Sequence, residues 1–210
     1  IQSNWIGKSN GSEIRFMDAY GKFDISVFTT RPDTINGVSY IVVAPESDLV
    51  TQITKEEYRE DVRKYIEQTG RLTEIERLSS EREKTGVFTG AYVVNPINGE
   101  KIPVWIADYV LDDYGTGAVM AVPAHDKRDY EFAKKYKLTI KEVILGNESR
   151  EYTLPYTGKG TLINSGKYNG LTTEKAKKVI TTDLEREQRG KKITNYKLKD
   201  WSVSRQRYWG

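Results

Sequence analysis

The stretch GTGAVMAVPAHDKRDYEFAKKY, residues 115–136, decides how this chain folds. Ala118 to Val122 is a short, fully apolar run of the kind that makes a buried strand, and Pro123 stops it. Asp126 stands at an N-cap position, and Tyr130, Phe132, Ala133 and Tyr136 follow at helical spacing. A buried strand therefore turns through a proline into a capped helix. Gly115 and Gly117 precede the strand instead of following it, which is the wrong order for a dinucleotide-binding loop.

Working outward, the flanking segments read mainly as strands joined in hairpins. Glu13 to Met17 and Phe23 to Thr29 form one hairpin, with Gly21 in its turn, and Gly7 to Gly11 has the composition of a loop. Arg31-Pro32-Asp33-Thr34 is a turn, and Ser39 to Ala44 is an apolar strand ended by Pro45. A helix is expected from Thr54 to Gln68, opened by a Thr54/Glu57 capping box and stopped at Gly70. Ala91 to Val94 and Lys101 to Val110 flank a turn-rich connection and read as a second hairpin. On the C-terminal side come strands at Ile140 to Leu145 and Thr161 to Ile163. A helix then runs from Thr173 to Gln188, Gly190 ends it, and a strand covers Ile193 to Leu198. The predicted class is α/β (α+β), with largely antiparallel pairing.

Composition narrows the chemistry. The chain has 210 residues, 37% of them apolar and 30% charged, enough for a sizeable core. No apolar run approaches the length of a membrane span. A net charge of +3 permits a nucleic-acid partner without arguing for one. Cysteine is absent and His125 is the one histidine, so a structural zinc site and a His-rich catalytic zinc site are excluded. A Ser-His-Asp triad would have to use His125, and neither a Gly-x-Ser-x-Gly elbow nor a P-loop is present. An enzyme built from these parts positions water and substrate.

Two segments carry chemical potential. In Thr29-Thr30-Arg31-Pro32-Asp33-Thr34, three hydroxyls cluster around a rigid turn, where uncharged donors and acceptors orient water or a polar ligand. The competing reading is that Thr29 and Thr30 are β-branched strand residues at a turn. In the second segment Asp126 and Asp129 both fall in the first turn of a helix, where the dipole favours ionised carboxylates able to receive an ammonium group. Capping alone accounts for Asp126; it does not require Asp129. His125 alone is more often a structural turn residue than a general base, and Met120 beside Val119 and Val122 is more often core than pocket wall.

TTRPDT (29–34), the 115–136 stretch and DWSVSRQRYWG (200–210) together resemble the editing insertion of bacterial-type leucyl-tRNA synthetases, over essentially the whole chain and in the right order. The resemblance implies an antiparallel-rich, β-barrel-like core with helices packed around it. It implies a linker from the catalytic domain at residues 1–10, an editing domain at 11–198 and a return strand at 199–210. The implied activity is hydrolysis of the ester in tRNA(Leu) mischarged with isoleucine, norvaline or methionine. The alternative is a module that binds the tRNA end without hydrolysing it in isolation. The implied partners are the 3′ end of tRNA(Leu) and the remainder of a cytoplasmic synthetase. No cofactor is implied for this domain, since ATP and Mg serve the parent's ligase site. By resemblance, Asp129 binds the substrate's α-ammonium, Thr29 and Thr30 orient the ester or water, and Thr34 excludes leucine. Met120, Val122 and Tyr114 line the site, and Arg31, His125 and Asp126 contact the substrate end.

Overall fold

The computed structural model describes residues 6–113, 115–146 and 153–198. Its main sheet contains β1 (Ile6–Asp18), β2 (Asp24–Thr29), β3 (Tyr40–Val43), β4 (Gly86–Val94), β5 (Lys101–Ala107), β6 (Ala118–Ala121) and β9 (Gly190–Leu198), in the order β2-β1-β4-β5-β3-β6 with β9 also on β1. A separate two-stranded ribbon joins β7 (Ile144–Gly146) to β8 (Gly160–Leu162). The helices are α1 (Leu49–Ile53), α2 (Arg59–Thr69), α3 (Glu74–Leu78), α4 (Lys127–Tyr136) and α5 (Thr173–Arg186). Pairing is antiparallel except between β3 and β5, where Ile41 lies opposite Val104. β2 and β6, at the two ends of the strand order, pack against each other with no ladder between them. The sheet curls like a barrel and leaves a seam there.

Alternation explains which face is buried. In the first hairpin Ile14 lies opposite Val27 and Phe16 opposite Ile25, and all four are fully buried. Successive side chains point to opposite faces, so the intervening Glu13 and Arg15 face outward. Ala176, Ile180 and Leu184 of α5, spaced one turn apart, join the same core. α4 is pinned to the other face by aromatic packing: Phe132 stacks on Tyr40 at 5.1 Å and meets Trp105 edge-on at 5.5 Å. That packing fixes the helix one turn after Asp129.

Several expectations need correction. The loop expected over Gly7 to Gly11 is strand, because backbone pairing with β9 overrides its loop-like composition. Gly11 is required there: a Cβ would lie 2.4 Å from the Thr29 carbonyl oxygen. The helix expected from Thr54 begins at Arg59, after a 3-10 turn at Glu56–Tyr58. The Thr54 hydroxyl donates to the Val50 carbonyl instead, and the capping box occurs at Thr73 with Glu76, opening α3. Of Ile140 to Leu145 only the end is strand; the Val143 and Ile144 amides both donate to His125 Nε2. Gln188, at φ 59°, reverses the chain after α5, and Gly190 starts β9. The expected return strand at 199–210 and Tyr114 lie outside the described residues.

Candidate functional site

β2 delivers Thr29 to the edge of the sheet, and the following turn is locked by its own side chains. The Arg31 amide donates to Thr29 Oγ1 at 2.9 Å. Pro32, with its fixed φ, opens a 3-10 helix over Pro32–Gly37. Inside it the Thr34 hydroxyl donates to the Arg31 carbonyl at 2.8 Å. Arg31 grips the fully buried Asp33 bidentately, Nε to Oδ1 at 3.1 Å and Nη2 to Oδ2 at 2.9 Å. Two of its nitrogens are thus committed inside the turn. Thr29 is half-buried, Thr30 is exposed and Thr34 is buried.

The second segment is held as firmly. The Asp126 side chain caps α4 by accepting from the Asp129 amide at 3.0 Å, as its position in sequence predicts. The Asp129 carboxylate is buried. Its Oδ1 accepts from the Tyr109 hydroxyl at 2.9 Å and its Oδ2 from the Val122 amide at 3.0 Å. Burial, followed by the nearby charge of Asp126, pushes the Asp129 carboxyl up to about 7, against the lowering effect of those two hydrogen bonds and of Arg128. The helix dipole that favours an ionised Asp129 is thus opposed by desolvation of the buried carboxylate.

Val122 joins the two segments. Its amide is held by Asp129, and its side chain packs against Gly37 at the end of the 3-10 helix, 3.1 Å from where a Cβ would stand. Next to it the Ser39 amide donates to the Ala121 carbonyl at 3.0 Å. α5 packs against the outside of the 3-10 helix, and Asn95 Nδ2 donates to the Ile35 carbonyl at 2.9 Å. At the seam, Phe28 of β2 approaches Gly115. Val122 thus links the Asp129 carboxylate to Gly37, the last residue of the 3-10 helix to which Thr34 also belongs. Met120 and Val122, 7% and 5% exposed, belong to the main core.

His125 is held by backbone on both ring nitrogens. Its Nδ1 donates to the Tyr156 carbonyl at 2.7 Å, and Nε2 accepts from the Val143 and Ile144 amides at 2.9 and 3.0 Å. Both nitrogens are occupied in the neutral tautomer, and burial lowers the imidazole's proton affinity. Asp126 is likewise engaged by its cap. Sequence reading missed Tyr40, Tyr109 and the buried Asp33. Tyr40 and Tyr109 sit where β3 begins and just after β5 ends, and no local spacing announces their meeting with Asp129.

The curled sheet thus carries a locked, hydroxyl-bearing turn after β2 and, in the first turn of α4, a buried carboxylate held by one donor on each oxygen. The comparisons with known proteins give the family. The model described as leucyl-tRNA synthetase, editing domain, matches residues 3–185, and this chain belongs to that family. The leucine–tRNA ligases of Clostridium kluyveri and Clostridium tetani are 56% and 55% identical to it over 210 residues. This chain spans a quarter of the length of each, 25%. Among solved structures, the ternary complex of Agrobacterium radiobacter K84 agnB2 LeuRS with tRNA and LeuAMS matches with a TM-score of 0.75 at 34% identity, covering 94% of this chain and 21% of that one.

Proposed function

We propose that this domain hydrolyses the ester bond of tRNA(Leu) carrying a wrong amino acid, isoleucine, norvaline or methionine among them. The supporting observation is that Val122 links the Asp129 carboxylate to Gly37, at the end of the 3-10 helix that carries Thr34, in a chain similar along its length to leucine–tRNA ligases. Amino acids differing by one methylene are separated in a binding pocket by only ~1–3 kcal/mol, so a second, hydrolytic pocket adds accuracy. Asp129, a buried carboxylate with one donor on each oxygen, anchors the α-ammonium. Thr29 and Thr30 orient the ester carbonyl and the attacking water. Water oxygen bonds to the carbonyl carbon, the ester C–O bond breaks, and the leaving ribose oxygen takes a proton from the water. The amino acid and intact tRNA are released. Thr34 walls the side-chain pocket and excludes leucine, with Met120 and Val122 behind it. The partners in this reading are the tRNA 3′ end and the rest of a synthetase.

The test is deacylation of isoleucyl- and leucyl-tRNA(Leu) by the chain, by Asp129→Asn and by Thr34→Ala. Release of isoleucine alone is expected from the wild type. The Asp129 variant should lose at least ~100-fold in rate, the scale of one lost charge-assisted contact in a closed site. Thr34→Ala should begin to release leucine. Wild-type binding of the tRNA end without turnover would favour a binding module instead.

A further inference from the structure

Asp129 does not stand alone in the core. The Tyr109 hydroxyl lies 2.9 Å from its Oδ1 and 3.0 Å from the Tyr40 hydroxyl, and the Tyr40 hydroxyl lies 3.1 Å from the Asp129 carbonyl oxygen. Two phenols brought from β3 and from the end of β5 therefore hold this one residue by both its side chain and its backbone. Neither phenol contributes to holding the helix by capping, which Asp126 already does. A buried leucine or phenylalanine at either place would complete the core without a polar atom to satisfy. We propose that Tyr109, backed by Tyr40, is a positioning residue that presents the Asp129 carboxylate to the substrate's ammonium group. This rests on the reading of Asp129 as the ammonium anchor.

The chemistry follows from proton counting. Each phenol has one hydrogen. With Tyr109 donating to Asp129 Oδ1, Tyr40 donates to the Tyr109 oxygen or to the Asp129 carbonyl, and the oxygen that accepts from Tyr109 is an ionised carboxylate's. Protonation of Oδ1 would reverse Tyr109, which would then accept from the carboxyl and donate to Tyr40, so the donation of Tyr109 to Oδ1 belongs to the ionised form alone. The arrangement favours the charged form against the burial that opposes it. The groups facing Asp129 are Asp126 and Arg128 from α4, Tyr109 after β5, Tyr40 of β3 and the Val122 amide after β6. Arg128 also lies over the Tyr109 ring, 5.6 Å from its centroid. Of these, Tyr109 is the one whose removal withdraws a donor from the carboxylate without changing net charge.

Tyr109→Phe tests this in two independent ways. The first needs no activity: the Asp129 carboxyl carbon is followed by NMR in protein labelled at aspartate, its resonance assigned by its loss in Asp129→Asn. Its midpoint should move up by about one to two pH units in Tyr109→Phe, the worth of one hydrogen bond to a charged group. Tyr40→Phe should move it the same way by less. The second is the pH profile of isoleucyl-tRNA(Leu) deacylation. In Tyr109→Phe its acid limb should shift upward by the same amount, with ~10-fold loss at pH 7 and near recovery at pH 8.5. An unmoved midpoint in folded Tyr109→Phe and Tyr40→Phe overturns the inference. So does a rate loss equal at every pH. A shifted midpoint combined with full activity of Asp129→Asn would leave the phenol–carboxylate coupling standing and sink the anchor role instead.

Discussion

At the scale of the residue, Asp129 shows which electrostatic effect wins at a helix N-terminus. A helix dipole is worth ~0.3–1 kcal/mol at an exposed terminus, whereas complete burial shifts a carboxyl by several pH units. Sequence displays the dipole and hides the burial, so only one of the two opposing effects was legible there. What was legible is what neighbours within four residues determine: the Thr29–Thr34 turn, the Asp126 cap and the direction of α4. Tyr109 and Tyr40 reach Asp129 from 20 and 89 positions away, and nothing local marks them. His125 was legible in part, since its structural role was weighed, but both of its nitrogens depend on backbone from distant segments. A stability consequence follows from the raised carboxyl. The native state, with a value of about 7, holds the proton more tightly than the unfolded chain, near the ordinary ~3.9. Stability is therefore lost as pH rises from about 4 through 7, on the order of a few kcal/mol in all. Asp129→Asn removes that loss, because the amide can accept from the Val122 amide and donate to Tyr109. Urea unfolding at pH 5, 7 and 8 should show the variant at least as stable as wild type at pH 8 and flatter between pH 5 and 7. A variant much weaker at pH 8 would refute the proton assignment.

At the scale of the element, the strands were read well where alternation is strict and poorly where composition suggests a loop. The β1–β2 hairpin and the β4–β5 hairpin follow from period-two burial. The N-terminal half of β1 does not, since Gly7, Ser9, Asn10 and Gly11 gain their strand geometry only from β9. The Thr54 capping box failed for a tertiary reason: the Lys55 amide donates to the Thr89 carbonyl at 2.9 Å, tying the chain to β4 and delaying the helix. Gly11 turns this into a prediction. An added methyl would meet the Thr29 carbonyl oxygen at 2.4 Å and the Phe28 ring at 2.8 Å, so β1 and β2 must part beside the candidate site. Gly11→Ala should cost ~1–3 kcal/mol in thermal or urea unfolding and depress deacylation beyond what the lost stability explains. Unchanged melting together with unchanged turnover would show that Thr29 is not placed by that contact.

At the scale of the whole molecule, fold class and largely antiparallel pairing were recovered from hairpins and the curl of the sheet from the family resemblance, while strand order and the parallel β3–β5 pair were not, because connections between distant strands leave no periodic trace. The same scale sets the pH response of the protein. His125 is held neutral by two incoming amides and by burial, so its folded proton affinity lies below the unfolded ~6.5. That contribution is present above about pH 6.5 and is lost as pH falls below it, opposite in slope to Asp129. His125→Ala should lower stability by ~2–3 kcal/mol at pH 7 by orphaning two buried amides, and should flatten the acid side of the stability curve. A melting series from pH 4.5 to 8 reads both; an acid side as steep as in wild type would place that transition elsewhere.

The ladder between β1 and β9, running from Ile6 opposite Leu198 to Ile14 opposite Gly190, joins the two most distant strands of the fold. β2 covers β1 only from Ser12 onward. On a ribosome, the first half of β1 therefore waits with bare amides and carbonyls until nearly the whole domain has been synthesised. Loop closure over that span adds little free energy, because its cost grows only with the logarithm of length, yet pairing of such high contact order comes late. Translation arrested after α5 would leave a nascent domain whose helices can pack while one strand edge stays open, a ready template for another arrested chain.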